Sequence, residues 1–196
     1  GYTNLVYFSW LGWEVVNETN VGLDFRTLNS RLTIEADWYY RLTQNAVIDA
    51  PLPMGAGNLL GNRGEILNTG VELSFNWADK IGKDFSYYIG ANLTTLHNEV
   101  KDLNGLSYLY GGSAEFRTIS QVGGELNAYY GYDIEGVYQN AAEIAADPIA
   151  VANGLEPGDF KYVDQNKDGK IDNKDRVTLG SYIPNFNYGI NLGFSY

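Results

Sequence analysis

"FNYGINLGFSY", residues 186–196, decides how the rest of the chain is read. Every even position is aromatic or aliphatic (Phe186, Tyr188, Ile190, Leu192, Phe194, Tyr196), and every odd one is small or polar (Asn187, Gly189, Asn191, Gly193, Ser195). A period of two sends these sets to opposite sides of an extended chain, so the segment predicts a β-strand with one apolar and one polar face. Four other segments repeat the pattern. They are residues 13–25, with Val15, Val21 and Leu23 on one parity; 31–40, with Leu32, Ile34, Ala36, Trp38 and Tyr40; 70–77, with Val71, Leu73, Phe75 and Trp77; and 85–94, with Phe85, Tyr87, Ile89, Ala91 and Leu93. The composition agrees, because 16 Tyr, 8 Phe and 4 Trp beside 23 Gly and a single Met favour pleated strands joined by turns. The fold class expected is all-β.

A soluble β-sandwich also alternates, so the other face and the connections have to discriminate. Glu14, Glu18, Asp24, Arg31, Glu35, Asp37, Glu72, Asn76 and Asn92 occupy the polar parity, and Tyr, Trp and Phe recur at strand ends. A transmembrane barrel places a wet lumen and aromatic girdles in this way. The bridges "RTLNS" and "ADKIGKD" are short, whereas the connections from Tyr40 to Val71 and from Leu93 to Phe186 are long, the alternation of turns and loops that such barrels show. The expectation is a segment of a large antiparallel transmembrane β-barrel with long extracellular loops and membrane strands near 13–25, 31–40, 70–77, 85–94 and 185–196. Residues 95–184 are then one external excursion. Within it "NAYYGYDIEGVYQ" (127–139) reads as local β-structure and "AAEIAADPIAVANG" (141–154) as a short helix limited by Pro148. Five strands cannot close a barrel, so the chain is expected to be one stretch of a larger wall. The alternative is a soluble, calcium-stabilised β-sandwich of the carbohydrate-binding or adhesion kind.

Charge and composition exclude other classes. A formal net charge of -11 repels nucleic acid. The absence of cysteine removes disulfides and thiolate metal sites. No run approaches the roughly 18 apolar residues that a membrane helix needs.

One stretch departs from the strand rhythm. In "DQNKDGKIDNKD" (164–175), Asp164, Asn166, Asp168, Gly169, Asp172 and Asp175 fall at positions 1, 3, 5, 6, 9 and 12 of an EF-hand-type loop. That spacing wraps oxygen ligands around a hard cation. The expected set for Ca2+ is the side chains of Asp164, Asn166 and Asp168, the Lys170 carbonyl, Asp172 directly or through water, and Asp175, with Ile171 packed inward. Asp at position 12 reaches less far than the usual Glu, so the ion would be a structural clip rather than a sensor.

Other candidates are weaker. The sole histidine, His97, has no second His or Cys to make a triad or a zinc site, and no enzymatic constellation is present. "GAGNLLGNRG" (55–64) lacks the ending and the context of a phosphate loop and reads as an external loop. Tyr108, Tyr110, Tyr129 and Tyr130 are the aromatic residues placed to contact a substrate.

The order of motifs is more specific than any one of them. "WEVVNETNVGLDF", "DWYYRLTQNAVIDAPLP", "NRGEILNTGVELSF", "FSYYIGANLTTLHNEV", "YYGYDIEGVYQ" and "PGDFKYVDQNKDGKIDNKDRVTLGSYIPNFNYGINLGFSY" follow one another with spacings that resemble the barrel of SusC/RagA-type TonB-dependent outer-membrane transporters. The resemblance covers nearly the whole chain. It implies a barrel of roughly 22 strands closed by an N-terminal plug, in the outer membrane of a Gram-negative bacterium. It further implies coupling to TonB through a TonB box, and a SusD-like surface lipoprotein that delivers glycans or peptides. Neither plug nor TonB box is recognisable in these residues, so the expectation is that they supply wall and outer loops only.

Overall fold

The computed structural model describes residues 5–7, 11–51, 58–113 and 115–196. The alternation read from residues 186–196 becomes a register. Strands β1 (Leu5–Tyr7), β2 (Val15–Thr27), β3 (Leu32–Pro51), β4 (Asn58–Ile81), β5 (Phe85–Thr95) and β6 (His97–Asp102) belong to one sheet with β13 (Phe186–Ser195). Its main path, β13-β5-β4-β3-β2, is antiparallel throughout. Phe25, Ile34, Phe75, Ala91 and Ile190 face one another in a row across all five strands, and Gly22, Asp37, Glu72, Thr94 and Asn187 form a row of the opposite parity. A slip of one residue in any strand would put its small and polar side chains into the apolar row, carboxylates among them in β2, β3 and β4.

Among the described residues no protein layer covers the apolar face. Val21, Leu23, Ile190 and Leu192 are 61%, 68%, 67% and 70% exposed. A soluble sandwich would bury this face against a second sheet about 10 Å away, so the sandwich alternative fails on these side chains. An exposed apolar band across five strands requires a lipid environment. Among the described residues no helix is long and apolar enough to cross a membrane, which leaves crossing by strands untouched.

On the polar face two glycines admit a close approach. A Cβ at Gly193 would collide with the Tyr88 ring lying across it, and one at Gly70 with Thr95 O and the Tyr39 hydroxyl. Tyr39 donates that hydroxyl to Thr95 O at 3.3 Å. These glycines let long polar side chains lie flat on the sheet. At the end with short turns, Arg31 donates to Leu28 O at 3.0 Å, pairs with Asp79 at 3.0 Å and lies over the Trp77 ring. One guanidinium thus ties the β2–β3 and β4–β5 connections together.

The strands exceed the expected bounds. β3 runs to Pro51 and β4 starts at Asn58, so the segment between Tyr40 and Val71 is largely a long paired arm rather than a loop. Its register shifts after Thr43, where Asn45 adopts φ 55, a bulge that lets the arm change direction. Residues 58–64 of the expected glycine-rich loop are strand; residues 55–57 lie outside the described residues. β1 pairs with β4 in parallel, and β6 continues along β4 where β5 ends, from Thr69↔His97 to Glu65↔Asp102. The start of the expected excursion therefore still belongs to the large sheet, because β4 is longer than β5 and offers a free edge to pair.

Two compact units result: Gly1–Leu109, Ser120–Leu126 and Ile183–Tyr196 form one, and Tyr110–Ile119 and Asn127–Tyr182 the other. Within the excursion lie β7 (Tyr108–Gly112), β8 (Arg117–Gln121), β9 (Ala128–Tyr132), β10 (Ile134–Val137), α1 (Ala141–Ala146), α2 (Pro148–Asn153), β11 (Phe160–Tyr162) and β12 (Arg176–Gly180). β12, β9, β8 and β7 make a four-stranded sheet, and β10 pairs with β11. The expected single helix is two, because Pro148 has no N–H to continue the first and instead starts the second. Asn140 caps α1, accepting from the Ala142 and Glu143 amides, and Asp147 caps α2, accepting from Ile149 N.

Asp147 also accepts the hydroxyl of buried Tyr138 at 2.5 Å. That bond holds the Asp147 carboxyl below its usual range, while burial, with the carboxylate second, pushes the Tyr138 phenol up to about 12. A lowered carboxyl contributes stability that is present above its unfolded pKa and is lost as pH falls through the folded value. A raised phenol contributes stability that is full below its unfolded pKa and is lost as pH rises through about 12. Hydrogen-exchange protection of α1 and α2 should therefore be flat near neutrality and fall at both extremes. Tyr138→Phe should move the acid edge upward and abolish the alkaline one; an unchanged profile would refute the coupling. For the large sheet, single cysteines at positions 188, 190 and 192 should react with a lipid-soluble maleimide, and those at 187, 189 and 191 only with a water-soluble one.

Candidate functional site

The loop between β11 and β12 is built from side-chain oxygens that fold the backbone around themselves. Asp164 accepts from Gly169 N at 2.8 Å and from Asp168 N at 3.3 Å; Asn166 accepts from Asp168 N at 3.0 Å; Asp168 accepts from Lys170 N at 3.1 Å. Short carboxylates and amides bond readily to amides a few residues ahead, which is why Asp and Asn dominate such turns. Lys167 and Gly169 adopt φ 59 and φ 80, and the second is the sharp turn that position 6 of the calcium-loop pattern requires of glycine.

The far end of the loop is a reciprocal cap. Asp172 accepts from Lys174 N at 2.8 Å, and Asp175 accepts from Asp172 N at 2.7 Å and from Gln165 N at 3.0 Å. Asp175 is wholly buried, and the Asp172 amide, as the largest influence, holds its carboxyl below the usual range. The structure thus brings Asp164, Asn166 and Asp168 together at one end and Asp172 with Asp175 at the other, and Ile171 is half-buried. Lys170 is exposed and donates its N–H to Asp168. Among the described residues no group of three or more Asp, Glu, His or Cys side chains is arranged to hold a metal. The cap was legible in the sequence as D-x-x-D, a short relative of the S/T-x-x-E capping box.

Of the four candidate substrate tyrosines, the structure joins two. The Tyr110 and Tyr130 rings lie 5.5 Å apart at 34°. Tyr129 leaves the other face of β9, because neighbouring residues of a strand point to opposite sides, and Tyr108 falls in the other compact unit. Tyr130 shares its face with Tyr132, whose ring packs on Tyr162 at 5.4 Å and carries the Arg176 guanidinium at 4.9 Å. Phe160 lies 6.2 Å from Tyr162. Sequence reasoning missed Tyr132, Phe160, Tyr162 and Arg176. The Tyr130/Tyr132 parity was a usable signal, but the pairing of Arg176 with Tyr132 across β12 and β9 had none.

The polar face of the large sheet is a second candidate surface. A cleft of about 620 Å³ over it is lined by Glu18, Asp37, Tyr39, Arg41 and Glu72 among others. Asp24 stands directly opposite Glu35, and Asp37 opposite Glu72, like charges that a sheet would avoid without a reason. His97 is exposed and lies 3.5 Å from Glu99, which also takes Lys101 at 2.8 Å.

Known proteins share this arrangement. No family model matches the chain. TonB-dependent receptor P26 of Formosa agariphila is 30% identical over 198 residues, which cover 95% of this chain and 19% of the receptor. TonB-dependent receptor SusC of Bacteroides thetaiotaomicron is 30% identical over 179 residues, covering 85% of this chain and 16% of that protein. The RagAB peptide importer in its open-open state superposes with a TM-score of 0.74 at 25% identity, over 95% of this chain and 19% of the importer chain. The chain thus spans about a fifth of the length of these relatives. Its large sheet is a segment of a large antiparallel transmembrane β-barrel.

Proposed function

We propose that the chain is a segment of a SusC/RagA-type TonB-dependent receptor, to whose members it is similar along 85–95% of its length, and that it forms wall and outer loops of an outer-membrane importer of glycans or peptides. The observation that carries this reading is the five-strand register, with a continuous apolar face left uncovered and a charged, hydrogen-bonding face behind it. Such a wall suits lipid on one side and a polar passage on the other. In this reading the second compact unit lies on the outer surface, where a SusD-like lipoprotein presents cargo, and TonB supplies the energy from the opposite side. The opposed carboxylates Asp24/Glu35 and Asp37/Glu72 would give this part of the passage a negative field. The protein has no enzymatic role in this scheme; it moves cargo without altering it.

The test uses the full-length protein in a Gram-negative host. It should fractionate with the outer membrane, and uptake of a labelled oligosaccharide or oligopeptide should require both the protein and TonB. Recovery in the soluble fraction, or uptake indifferent to loss of TonB, would overturn the reading.

We further propose that residues 164–175 take a structural calcium ion that orders the outer unit. The support is the oxygen spacing and the left-handed Gly169 at the position where the calcium-loop pattern requires glycine. Exposed Lys167, Lys170 and Lys174 make the loop a substrate for trypsin. Calcium should slow cleavage at these lysines in the wild type and not in Asp164→Ala/Asp168→Ala. Equal cleavage of the wild type with and without calcium would refute the ion.

A further inference from the structure

Arg176 is the anomaly of the outer unit. It is half-buried over the Tyr132 ring, its buried Nε has no hydrogen-bond acceptor, and among the described residues no carboxylate pairs with it. This occurs in a chain with a formal net charge of -11. The buried Nε is out of reach of any ligand, but a guanidinium with no ion pair also forgoes its strongest interaction, a charge-assisted bond to a carboxylate, which its outer Nη groups could still make. Its planar fork would keep that capacity while the other side of the plane stacks on an aromatic ring.

What surrounds Arg176 narrows the partner. Tyr110 and Tyr130 pair at 5.5 Å, Tyr162 lies 5.4 Å from Tyr132 and 6.2 Å from Phe160, and Tyr130 and Tyr132 share one face of β9. Tyr110 and Phe160 are 56% and 50% exposed, and Tyr130 and Tyr132 are partly so. A series of flat, partly wet aromatic faces suits a chain of rings that each present an apolar face and polar edges. A peptide recognised here would draw chiefly on main-chain pairing along a strand edge.

We infer that Arg176 and the adjoining aromatic residues form a subsite for a carboxylated sugar chain, with the carboxylate on the Arg176 Nη groups and neighbouring sugar rings stacked on the tyrosines. The inference rests on the reading of the outer unit as the cargo-facing part of an importer, and it deepens that reading by naming the charge and shape of one class of cargo.

The experiment measures binding to the full-length protein in detergent at fixed free calcium. The probes are an oligogalacturonate and its methyl ester, which has the same rings without the charge. The wild type should bind the acid form about tenfold more tightly than the ester, and added salt should reduce the difference. Arg176→Gln should bring the two forms to within about twofold, and Tyr130→Ala should weaken both forms alike, by about tenfold. Equal affinity of the wild type for acid and ester would overturn the subsite without recourse to any variant. Preference for the acid persisting in a folded Arg176→Gln protein would do the same. A glutamate-rich peptide that binds as tightly as the oligogalacturonate, and loses binding in Arg176→Gln, would also overturn the sugar assignment. TonB-dependent uptake is measured separately on uncharged cargo, so failure of the subsite leaves the importer reading standing.

Discussion

Everything in the large sheet depends on cross-strand pairing in which each strand satisfies its neighbour's backbone. In hydrocarbon an unpaired N–H or C=O has no water to turn to, so strands can cross only as members of a continuous antiparallel ladder. The ladder from β13 through β5, β4 and β3 to β2 supplies that, and it also sorts side chains. Because register and facing are the same variable, one pairing decides the hydrogen bonds and keeps Asp24, Glu35, Asp37 and Glu72 off the apolar face together.

The polar face shows what such a wall demands beyond alternation. Tyr88 and Tyr39 are too large to stand upright without reducing the space they border, and Gly193 and Gly70 give them room to lie down. Glycine weakens a strand, so its use here exchanges some strand stability for a low-relief surface. Arg31 acts at the margin, where its contacts with Leu28, Asp79 and Trp77 brace the β2–β3 turn against the end of β4. The excursion follows a different logic. It relies on caps, small aromatic clusters and carboxylates that collect backbone amides.

The strands of the main path were legible because an apolar face and a polar face impose a strict period of two, and that period survives in the residues themselves. The reach of β3 and β4 was not legible, because the alternation in residues 41–70 fades while pairing continues. The helix at 141–154 was visible in its alanines, and its division follows from Pro148 once the capping role of Asp147 is seen. In the loop, the spacing of Asp164 to Asp175 announced a turn that gathers oxygens. The reciprocal cap of Asp172 and Asp175 was written in the same residues and passed over in favour of the cation.

By itself the sequence determined the all-β class, five of the strands of the large sheet and the two faces between which their residues alternate, since these follow from local alternation and need no knowledge of distant partners. Only the tertiary structure decided which strands are neighbours beyond the hairpins. It seats β13 on β5 across the whole excursion, extends β4 with β6, and brings Arg176 onto Tyr132. The physical reason is that a strand edge accepts any backbone of suitable length and twist. The choice among candidates is made by packing and loop closure over many residues, and no short stretch of sequence records it.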